Sequence, residues 1–303
     1  MIRTRPFQQV DVFTATPLCG NPLAVVLDGE DLTGAQMQAF AAWTQLSETT
    51  FVLPPTPEGH AGGADYRVRI FTPGGELPFA GHPTLGTAHA WQAAGGQPQA
   101  AEQLVQECGV GLVTLRQQDG RYAFAAPTLR RADPDAGTLA AVRDALGLAA
   151  DEVLAAQDLH NGPHWLGLLL PDVDTVLALE PDHAALKALG VKVGVAARRA
   201  SAPGLIRRAS REARAFVHHS DNTDLEVRGF AAPIGVAEDP VTGSLNASLA
   251  QWLIEDGHMP SRYRARQGTA LGRAGEVFVQ RNAAGQVWIG GDVVGCIRGE
   301  VTL

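Results

Sequence analysis

Two segments of the chain consist almost entirely of small and apolar residues, and they begin in matching ways. They run from Pro83 to Ala94 and from Pro240 to Ile254. Each segment predicts a helix without a charged face, and such a helix is usually buried on most sides. The shared start is a polar residue, proline, two residues, glycine and a hydroxyl residue, as in His82-Pro83-Thr84-Leu85-Gly86-Thr87 and Asp239-Pro240-Val241-Thr242-Gly243-Ser244. We interpret this match as an internal duplication.

Strand signals surround both predicted helices. Tyr66, Val68 and Ile70 alternate with residues on the opposite face, which is the period-two pattern of a strand. Similar apolar runs, bounded by turn residues, predict strands in or near residues 10–13, 23–27, 104–115, 121–125, 215–217, 225–229, 277–279, 287–289 and 293–294. Three further helices are predicted, at residues 34–43 after Thr33 as N-cap, 138–147 and 182–189. The pattern indicates two domains, each a curved sheet around one central helix.

Composition limits the classes of partner. The net charge is -8, and the basic residues form only isolated arginine pairs at 130–131, 198–199 and 207–208, so we expect no nucleic-acid partner. The three cysteines, Cys19, Cys108 and Cys296, include no CxxC pair, which argues against a disulfide framework or a structural zinc site. The first residues lack the apolar h-region of a signal peptide, and no apolar run approaches about 18 residues, so we predict a soluble cytoplasmic protein without a membrane partner.

The starts of the two apolar helices are candidate binding positions. We place His82 and Asp239 as N-caps, with the following prolines at the first helical position, where proline costs no hydrogen bond. A helix start offers unpaired N–H groups and a partial positive charge. Two such starts facing each other across a cleft predict a carboxylate-binding site.

Small and hydroxyl residues in the same segments support this hypothesis. A glycine in the first turn lets a ligand approach the backbone closely, and Gly86 and Gly243 are placed there. Thr87, Thr242 and Ser244 add hydroxyl groups.

Several sequence blocks resemble the PhzF-like family of phenazine-biosynthesis proteins. They are Asp11-Val12-Phe13 with Gly20-Asn21-Pro22-Leu23-Ala24-Val25, then Ser47-Glu48-Thr49-Thr50-Phe51-Val52, Arg69-Ile70-Phe71-Thr72-Pro73, Glu76-Leu77-Pro78-Phe79-Ala80-Gly81-His82-Pro83-Thr84 and Glu238-Asp239-Pro240-Val241-Thr242-Gly243-Ser244. The blocks follow the family's order and span most of the chain.

The resemblance implies the α+β fold of diaminopimelate epimerase. That fold has two pseudo-symmetric domains, each a curved, mostly antiparallel sheet or barrel wrapped around a central helix, with the active site between them. We place the first domain at residues 1–118 and the second at 119–282, and we expect the C-terminal strands, residues 283–303, to return to the first. The resemblance also implies a homodimer, no metal and no organic cofactor.

The resemblance assigns roles by matching motif positions. Glu48 matches the family's proton-transferring glutamate, and His82 and Asp239 match polar residues of the cleft that would orient the substrate or stabilise developing charge. Substrate contacts are expected from small and polar residues near the helix starts, namely Gly81, Gly243, Ser244, Thr242 and Asn21. Gln45, Val241 and Leu245 depart from the family's usual residues, which bears on the identity of the substrate.

The expected activity is a cofactor-independent isomerisation of a small carboxylic acid. Glu48 would take a proton from one carbon of a cyclic or unsaturated acid and deliver it to another. A carboxylate suits this task when partial burial raises its pKa toward neutrality. The better-known members of the family isomerise a dihydro-hydroxyanthranilate in phenazine synthesis.

Alternative functions remain open. An amino-acid racemase or epimerase with two thiols would need a cysteine at each helix start, where this chain has His82 and Asp239. A non-catalytic protein that binds small carboxylates in the same cleft would carry the same residues. A metal site in the polar loop that holds His218, His219, Asp221 and Asp224 lacks a recognised ligand spacing. The glycines form neither a Rossmann nor a P-loop pattern.

Overall fold

The computed structural model describes residues 2–118, 120–199 and 223–303. Its strands are β1 (Thr4–Val12), β2 (Asn21–Val26), β3 (Thr49–Leu53), β4 (Tyr66–Thr72), β5 (Gly75–Leu77), β6 (Gln103–Cys108), β7 (Gly111–Gln118), β8 (Arg121–Ala125), β9 (Arg130–Ala132), β10 (Ala155–His160), β11 (His164–Leu169), β12 (Val193–Arg198), β13 (Leu225–Ala231), β14 (Val236–Asp239), β15 (Arg262–Gln267), β16 (Gly275–Arg281), β17 (Val287–Gly291) and β18 (Val293–Thr302). Its α-helices are α1 (Gly34–Thr44), α2 (Pro57–Ala61), α3 (Gly81–Ala93), α4 (Ala136–Leu146), α5 (Val173–Ala178), α6 (His183–Leu189) and α7 (Gly243–Glu255).

Neighbouring strands join two similar halves into one continuous sheet. In the first half the spatial order is β18-β1-β2-β3-β4-β6-β7-β8. In the second half it is β17-β16-β15-β13-β12-β11-β10-β9. The antiparallel pair β8–β17 connects the halves, and β5 and β14 form hairpins with β4 and β13. The sheet curves around α3 in the first half and around α7 in the second.

The two halves also repeat their strand directions. Each has two parallel pairs, β2–β3 and β4–β6 in the first half and β11–β12 and β13–β15 in the second. Each parallel pair is connected through at least one helix, as a parallel crossover requires. The described structure thus confirms the predicted α+β class with two pseudo-symmetric halves, each wrapped around one central helix.

Glycines allow the central helices to pack closely against the sheet. A Cβ atom on Gly86 of α3 would lie 2.6 Å from the Leu23 side chain and 2.8 Å from that of Val12. The expectation that Gly86 opens the backbone to a ligand is therefore wrong, because this glycine faces the core. In the second half, Leu245 of α7 occupies the space that a side chain on Gly194 would need, at 2.2 Å.

Outer helices cover the other face of each half. Helix α1 packs on the first half through a cluster that includes Met37, Phe40 and Phe51. Helices α4, α5 and α6 cover the second half through Leu146, Val176 and other apolar residues. Each half therefore has three layers, which are the outer helix or helices, the sheet and the central helix.

Two details of the strand prediction differ from the structure. The predicted strand over residues 104–115 is a hairpin of β6 and β7 that turns at Gly109 and Val110. The strand predicted at residues 215–217 lies outside the described residues. The predicted domain boundaries stay a prediction, and from the strand order we propose a division between β8 and β9, with β18 in the first domain because it pairs with β1.

Replacing Leu245 with alanine tests the packing of α7. The side chain is fully buried and fills the space above Gly194 and Gly229, so its removal leaves a cavity. We expect the free energy of unfolding to fall by about 2–5 kcal/mol in urea titrations. The same change at Leu154, which is 59% exposed, should cost less than about 0.5 kcal/mol. Equal effects at both positions would contradict this packing.

Candidate active site

The first residues of α3 and α7 meet between the two halves. A Cβ atom added to Gly243, where α7 begins, would lie 3.3 Å from the backbone nitrogen of His82 and 3.4 Å from Cα of Gly81, where α3 begins. Both helix starts are buried. The predicted pair of facing helix starts is therefore present in the described structure.

The predicted N-caps, however, are wrong by a few residues. Helix α3 is capped by Ala80, which places His82 inside its first turn, and α7 is capped by Thr242. Asp239 instead ends strand β14. Proline does not mark the first helical residue here: Pro83 lies in the first turn of α3, where no N–H group has an intrahelical partner, and Pro240 lies before α7 begins.

These two helices also differ from the others in how they begin. Each of the other five α-helices among the described residues has a side-chain oxygen that accepts a hydrogen bond from a first-turn N–H, supplied by Thr33, Thr56, Asp135, Asp172 and Asp182. Neither α3 nor α7 has such a cap. Their first N–H groups therefore remain available for an anionic ligand at two adjacent positive helix ends.

Glu48 and His82 form an ion pair beside these helix starts. Glu48 directly precedes β3, which lies next to α3, and its Oε2 is 3.1 Å from Nδ1 of His82. The His82 side chain is 5% exposed and that of Glu48 is 18% exposed. The carboxylate thus stays accessible while the imidazole is held in place.

Asp239 is anchored on the opposite side by short hydrogen bonds. Its Oδ2 accepts from the Thr242 hydroxyl at 2.7 Å, and its Oδ1 accepts from Nδ2 of Asn21 at 2.9 Å. Asn21 begins β2 of the first half and also donates to the Val241 carbonyl at 2.9 Å. Asn21 therefore ties the two halves together at the site, and its buried Oδ1 has no partner within the described residues.

Gln267 organises the start of α7, although no sequence motif points to it. Its Oε1 accepts hydrogen bonds from the backbone N–H of Thr242 and from Nδ2 of Asn246. Its Nε2 donates to the Asp239 carbonyl and to the Thr242 hydroxyl, each at 3.0 Å. A glutamine at the end of β15 is an ordinary residue in the sequence, so only its fully buried position reveals this role.

The remaining predicted contact residues occupy different surroundings. Ser244 lies in the first turn of α7, where its hydroxyl accepts from Nε1 of Trp165 at 3.3 Å. Gly81 lies against the ring of Phe124, which is 2.4 Å from the place of an added Cβ. Thr87 is fully buried and donates to the Thr50 hydroxyl, so it supports α3 rather than the site.

Burial and the neighbouring charges shift the pKa values of Asp239 and His82. Burial raises the pKa of Asp239 to about 6, and the negative charge of Glu48 acts in the same direction. The hydrogen bond from Thr242 acts in the opposite direction and lowers this pKa. Burial alone would lower the pKa of His82, but the hydrogen bond and charge of Glu48, together with the charge of Asp239, raise it above its usual value. The site can therefore hold and exchange protons near neutral pH.

The described parts of the chain contain neither a cluster of metal-ligating side chains nor a membrane-spanning helix. Among those residues, no group of three or more His, Cys, Asp and Glu side chains is arranged to hold a metal ion. His218, His219 and Asp221 of the alternative metal site lie outside the described residues. No helix within the described ranges is both long and apolar enough to cross a membrane.

The fold and the cleft define a two-domain protein of the epimerase type, with an acid/base cluster where two helix starts meet. A sequence model described as phenazine biosynthesis-like protein matches residues 10–299. The chain therefore belongs to the phenazine biosynthesis-like family, as the sequence blocks predict.

Individual relatives cover nearly the whole chain. The chain is 33% identical to the antisense-enhancing sequence 1 protein of Schizosaccharomyces pombe, over 97% of both chains. It is 34% identical to the trans-2,3-dihydro-3-hydroxyanthranilate isomerase of Pseudomonas fluorescens, over 97% of this chain and 98% of that one. The crystal structure of a Bacillus anthracis PhzF-family protein superimposes with a TM-score of 0.81 at 21% identity, covering 99% of this chain and all of that chain, which shows the shared fold.

Replacing Asp239 with asparagine tests the raised pKa of this carboxyl group. Because burial raises that pKa from 3.8 to about 6, the folded protein binds the proton more tightly than the unfolded chain. The contribution of Asp239 to the free energy of unfolding therefore falls as the pH rises from about 4 to 6. Over this range the variant should gain up to about 3 kcal/mol relative to the native protein in urea unfolding.

The exposed Asp133→Asn variant is the matched control and should show no such pH-dependent gain. If the stability difference between Asp239→Asn and the native protein were the same at pH 4 and pH 8, the raised pKa would be wrong.

Proposed function

We propose that this protein is a cofactor-independent isomerase in which Glu48 moves a proton between two carbons of a small carboxylic acid. One observation carries the proposal: two buried helix starts without side-chain caps meet beside the Glu48–His82 pair and Asp239. An anion site next to an acid/base cluster is what such a reaction requires.

The helix starts supply the binding step. In this proposal the substrate carboxylate accepts hydrogen bonds from first-turn N–H groups of α3 and α7, including those at Gly81, Gly243 and Ser244. Since a Cβ atom added to Gly243 would lie only 3.3 Å from the backbone nitrogen of His82, the two helix starts are close enough for a single carboxylate to reach both. This anchor fixes the substrate relative to Glu48, which lowers the entropic cost of the proton transfer.

Glu48 supplies the proton transfer. Its carboxylate takes a proton from one carbon, and the electron pair left behind moves into the conjugated system of the substrate. The same carboxyl group then returns the proton to a second carbon, which shifts a double bond with no net gain or loss of electrons. One group suffices because it is restored at the end of the cycle.

His82 and Asp239 assist the proton transfer, while Glu48 alone carries the proton between the two carbons. His82 positions the Glu48 carboxylate through the 3.1 Å contact, and a protonated imidazole stabilises the carboxylate when it must accept a proton again. Asp239, held by Asn21 and Thr242, carries a proton near pH 6 and can donate a hydrogen bond to an oxygen or nitrogen atom on which charge develops.

The substrate class follows from the site and from a relative. The Pseudomonas fluorescens relative is named for an isomerase that acts on trans-2,3-dihydro-3-hydroxyanthranilate, a cyclic unsaturated carboxylic acid. We propose a substrate of the same chemical class here. Of the departures noted above, Gln45 is exposed, Val241 is fully buried, and the side chain of Leu245 packs against Gly194 and Gly229 of the sheet.

The rival functions make different predictions. A racemase of the two-thiol type would need a cysteine on each side of the cleft, but the corresponding positions hold His82 in α3 and Asp239 at the end of β14. A protein that only binds carboxylates would bind ligands in the same place without exchanging their carbon-bound hydrogen atoms.

Incubation of the protein with a panel of cyclic and unsaturated carboxylic acids in deuterated water separates these functions. We expect deuterium to enter a carbon position of at least one acid, with a shifted double bond visible by NMR spectroscopy. Inversion at a single carbon without a shifted double bond would favour the racemase. Saturable binding with no exchange in any acid would favour the binding protein.

Replacing Glu48 with glutamine removes the proposed base with little change in shape. We expect the turnover of an acid identified by this panel to fall by at least about 10²–10⁴-fold, because general acid/base catalysis contributes that much. Binding of the acid, measured by calorimetry, should persist because the helix starts are unchanged. The exposed Glu30→Gln variant serves as control and should keep full turnover. Normal turnover in Glu48→Gln would rule out this role.

A further inference from the structure

The pairing registers of the sheet match the two halves residue by residue. Strands β4 and β13 each have seven residues. The sixth residue of β4, Phe71, lies opposite Thr49, the first residue of β3. The sixth residue of β13, Phe230, lies opposite Val193, the first residue of β12. Strand β12 is therefore the counterpart of β3 from its first position onward.

Lys192 is the counterpart of Glu48. Each residue directly precedes the first residue of its strand. Thr50, two residues after Glu48, accepts a hydrogen bond from the central helix α3. Gly194, two residues after Lys192, faces the central helix α7. Because side chains two residues apart share one face of a strand, Glu48 and Lys192 both extend from the inner face of the sheet, beside a central helix.

Trp165 of β11 connects Lys192 to the start of α7. The ammonium nitrogen of Lys192 lies over the indole ring, 5.0 Å from its centre. The Nε1 atom of this buried tryptophan donates to the hydroxyl of Ser244, the second residue of α7, at 3.3 Å. His82 is the second residue of α3 and contacts Glu48. The second half thus places an ammonium group beside its helix start, where the first half places a carboxylate.

The ammonium group of Lys192 is half-buried and has no carboxylate partner within the described part of the chain. Burial lowers the pKa of this group below its usual value. Contact with an aromatic ring replaces only part of the hydration that a buried cation loses. An anion that reaches Lys192 would therefore bind a cation that the protein itself leaves without a counter-charge.

We propose that Lys192 binds a second carboxylate of the substrate, so that the protein acts on small unsaturated dicarboxylic acids. This inference rests on the proposed function, in which the first carboxylate lies at the two helix starts. The ammonium group lies over the face of the indole ring, whereas Ser244 lies at its N–H edge. The two positions therefore take different groups of one ligand.

Two carboxylates held at separate points would orient the carbon chain between the halves. The helix starts hold one end of the acid, Lys192 holds the other from the second half, and Glu48 approaches the carbons from the first half. A hydrogen bond between an ammonium group and a carboxylate is about twice as strong as one between neutral groups. An acid that lacks the second carboxylate leaves Lys192 without a partner, so the site distinguishes the two acids.

Calorimetry with matched pairs of acids tests the second contact. The dicarboxylic acids are fumarate, muconate and cyclohexene dicarboxylate, and their partners with one carboxylate are crotonate, sorbate and cyclohexene carboxylate. We expect the native protein to bind at least one diacid at least about tenfold more tightly than its partner, as a hydrogen bond to a charged group implies. Equal affinities within every pair would overturn the inference.

Replacing Lys192 with methionine removes the charge and keeps a side chain of similar length. We expect this variant to lose the preference for the diacid, through a higher KM with kcat little changed, while its affinity for the monocarboxylic partner stays the same. Lys192→Arg should retain most of the preference. Lys187→Met, at the exposed second lysine of the chain, is the matched control and should behave as the native protein. A preference that survives in Lys192→Met would contradict the contact.

NMR spectroscopy of the lysines reports binding without turnover. Reductive methylation with carbon-13 formaldehyde labels Lys187 and Lys192 and keeps their charge. The Lys192 signal, identified by its loss in Lys192→Met, should shift when the preferred diacid is added and stay in place with the monocarboxylic partner. The Lys187 signal should not move with either acid. A Lys192 signal that ignores the diacid would overturn the inference.

The proposed function and this inference fail in different ways. A diacid that shifts the Lys192 signal and yet exchanges no carbon-bound hydrogen in deuterated water would contradict the isomerase and support the second contact. Exchange that is as fast in monocarboxylic acids as in diacids, and as fast in Lys192→Met as in the native protein, would support the isomerase and contradict the second contact.

Discussion

The close approach of two helix starts at Gly81 and Gly243 is the constraint on which the site depends. A Cβ atom on Gly243 would lie 3.3–3.4 Å from the α3 backbone, and a Cβ atom on Gly81 would collide with the Phe124 ring, so glycine at both positions lets the helix starts sit this close together. Each helix reaches this point because its own half of the sheet wraps around it, and glycines such as Gly86 and Gly194 let the helix and sheet pack closely. The duplicated fold thus brings two positive helix ends to one place.

This arrangement explains why the charged residues gather where they do. A helix end without a side-chain cap favours a negative group nearby, and two such ends favour it more strongly. Glu48 reaches the site from the first half, where it pairs with His82, and Asp239 reaches it from the second half, where Asn21 of the first half bonds to it across the cleft. The side chain of Gln267 connects the start of α7 to the Asp239 backbone, because it accepts a hydrogen bond from the Thr242 N–H and donates one to the Asp239 carbonyl. The candidate site is therefore assembled from titratable groups that the two halves supply jointly.

Much of the architecture could be predicted from the sequence, because it rests on local patterns. The capping Thr33 of α1, the alternation in β4 and the apolar character of α3 and α7 all depend on neighbouring residues. The ordered motifs also brought Glu48, His82, Asp239 and Asn21 into one candidate site. The exact helix starts could not be predicted, since proline occurs both inside the first turn, as in α3, and before the helix, as in α7. The roles of Gln267, Phe124 and Gly86 depend on contacts between distant segments, which no local pattern reports.

The central claim is that a substrate carboxylate bound at the two helix starts presents its carbon atoms to Glu48. A crystal structure of the Glu48→Gln variant with a turned-over acid bound tests this claim most directly. We predict that the carboxylate oxygens lie within hydrogen-bonding distance of backbone N–H groups of both α3 and α7, with the reacting carbons beside residue 48. A carboxylate bound elsewhere, or reacting carbons directed away from residue 48, would contradict it.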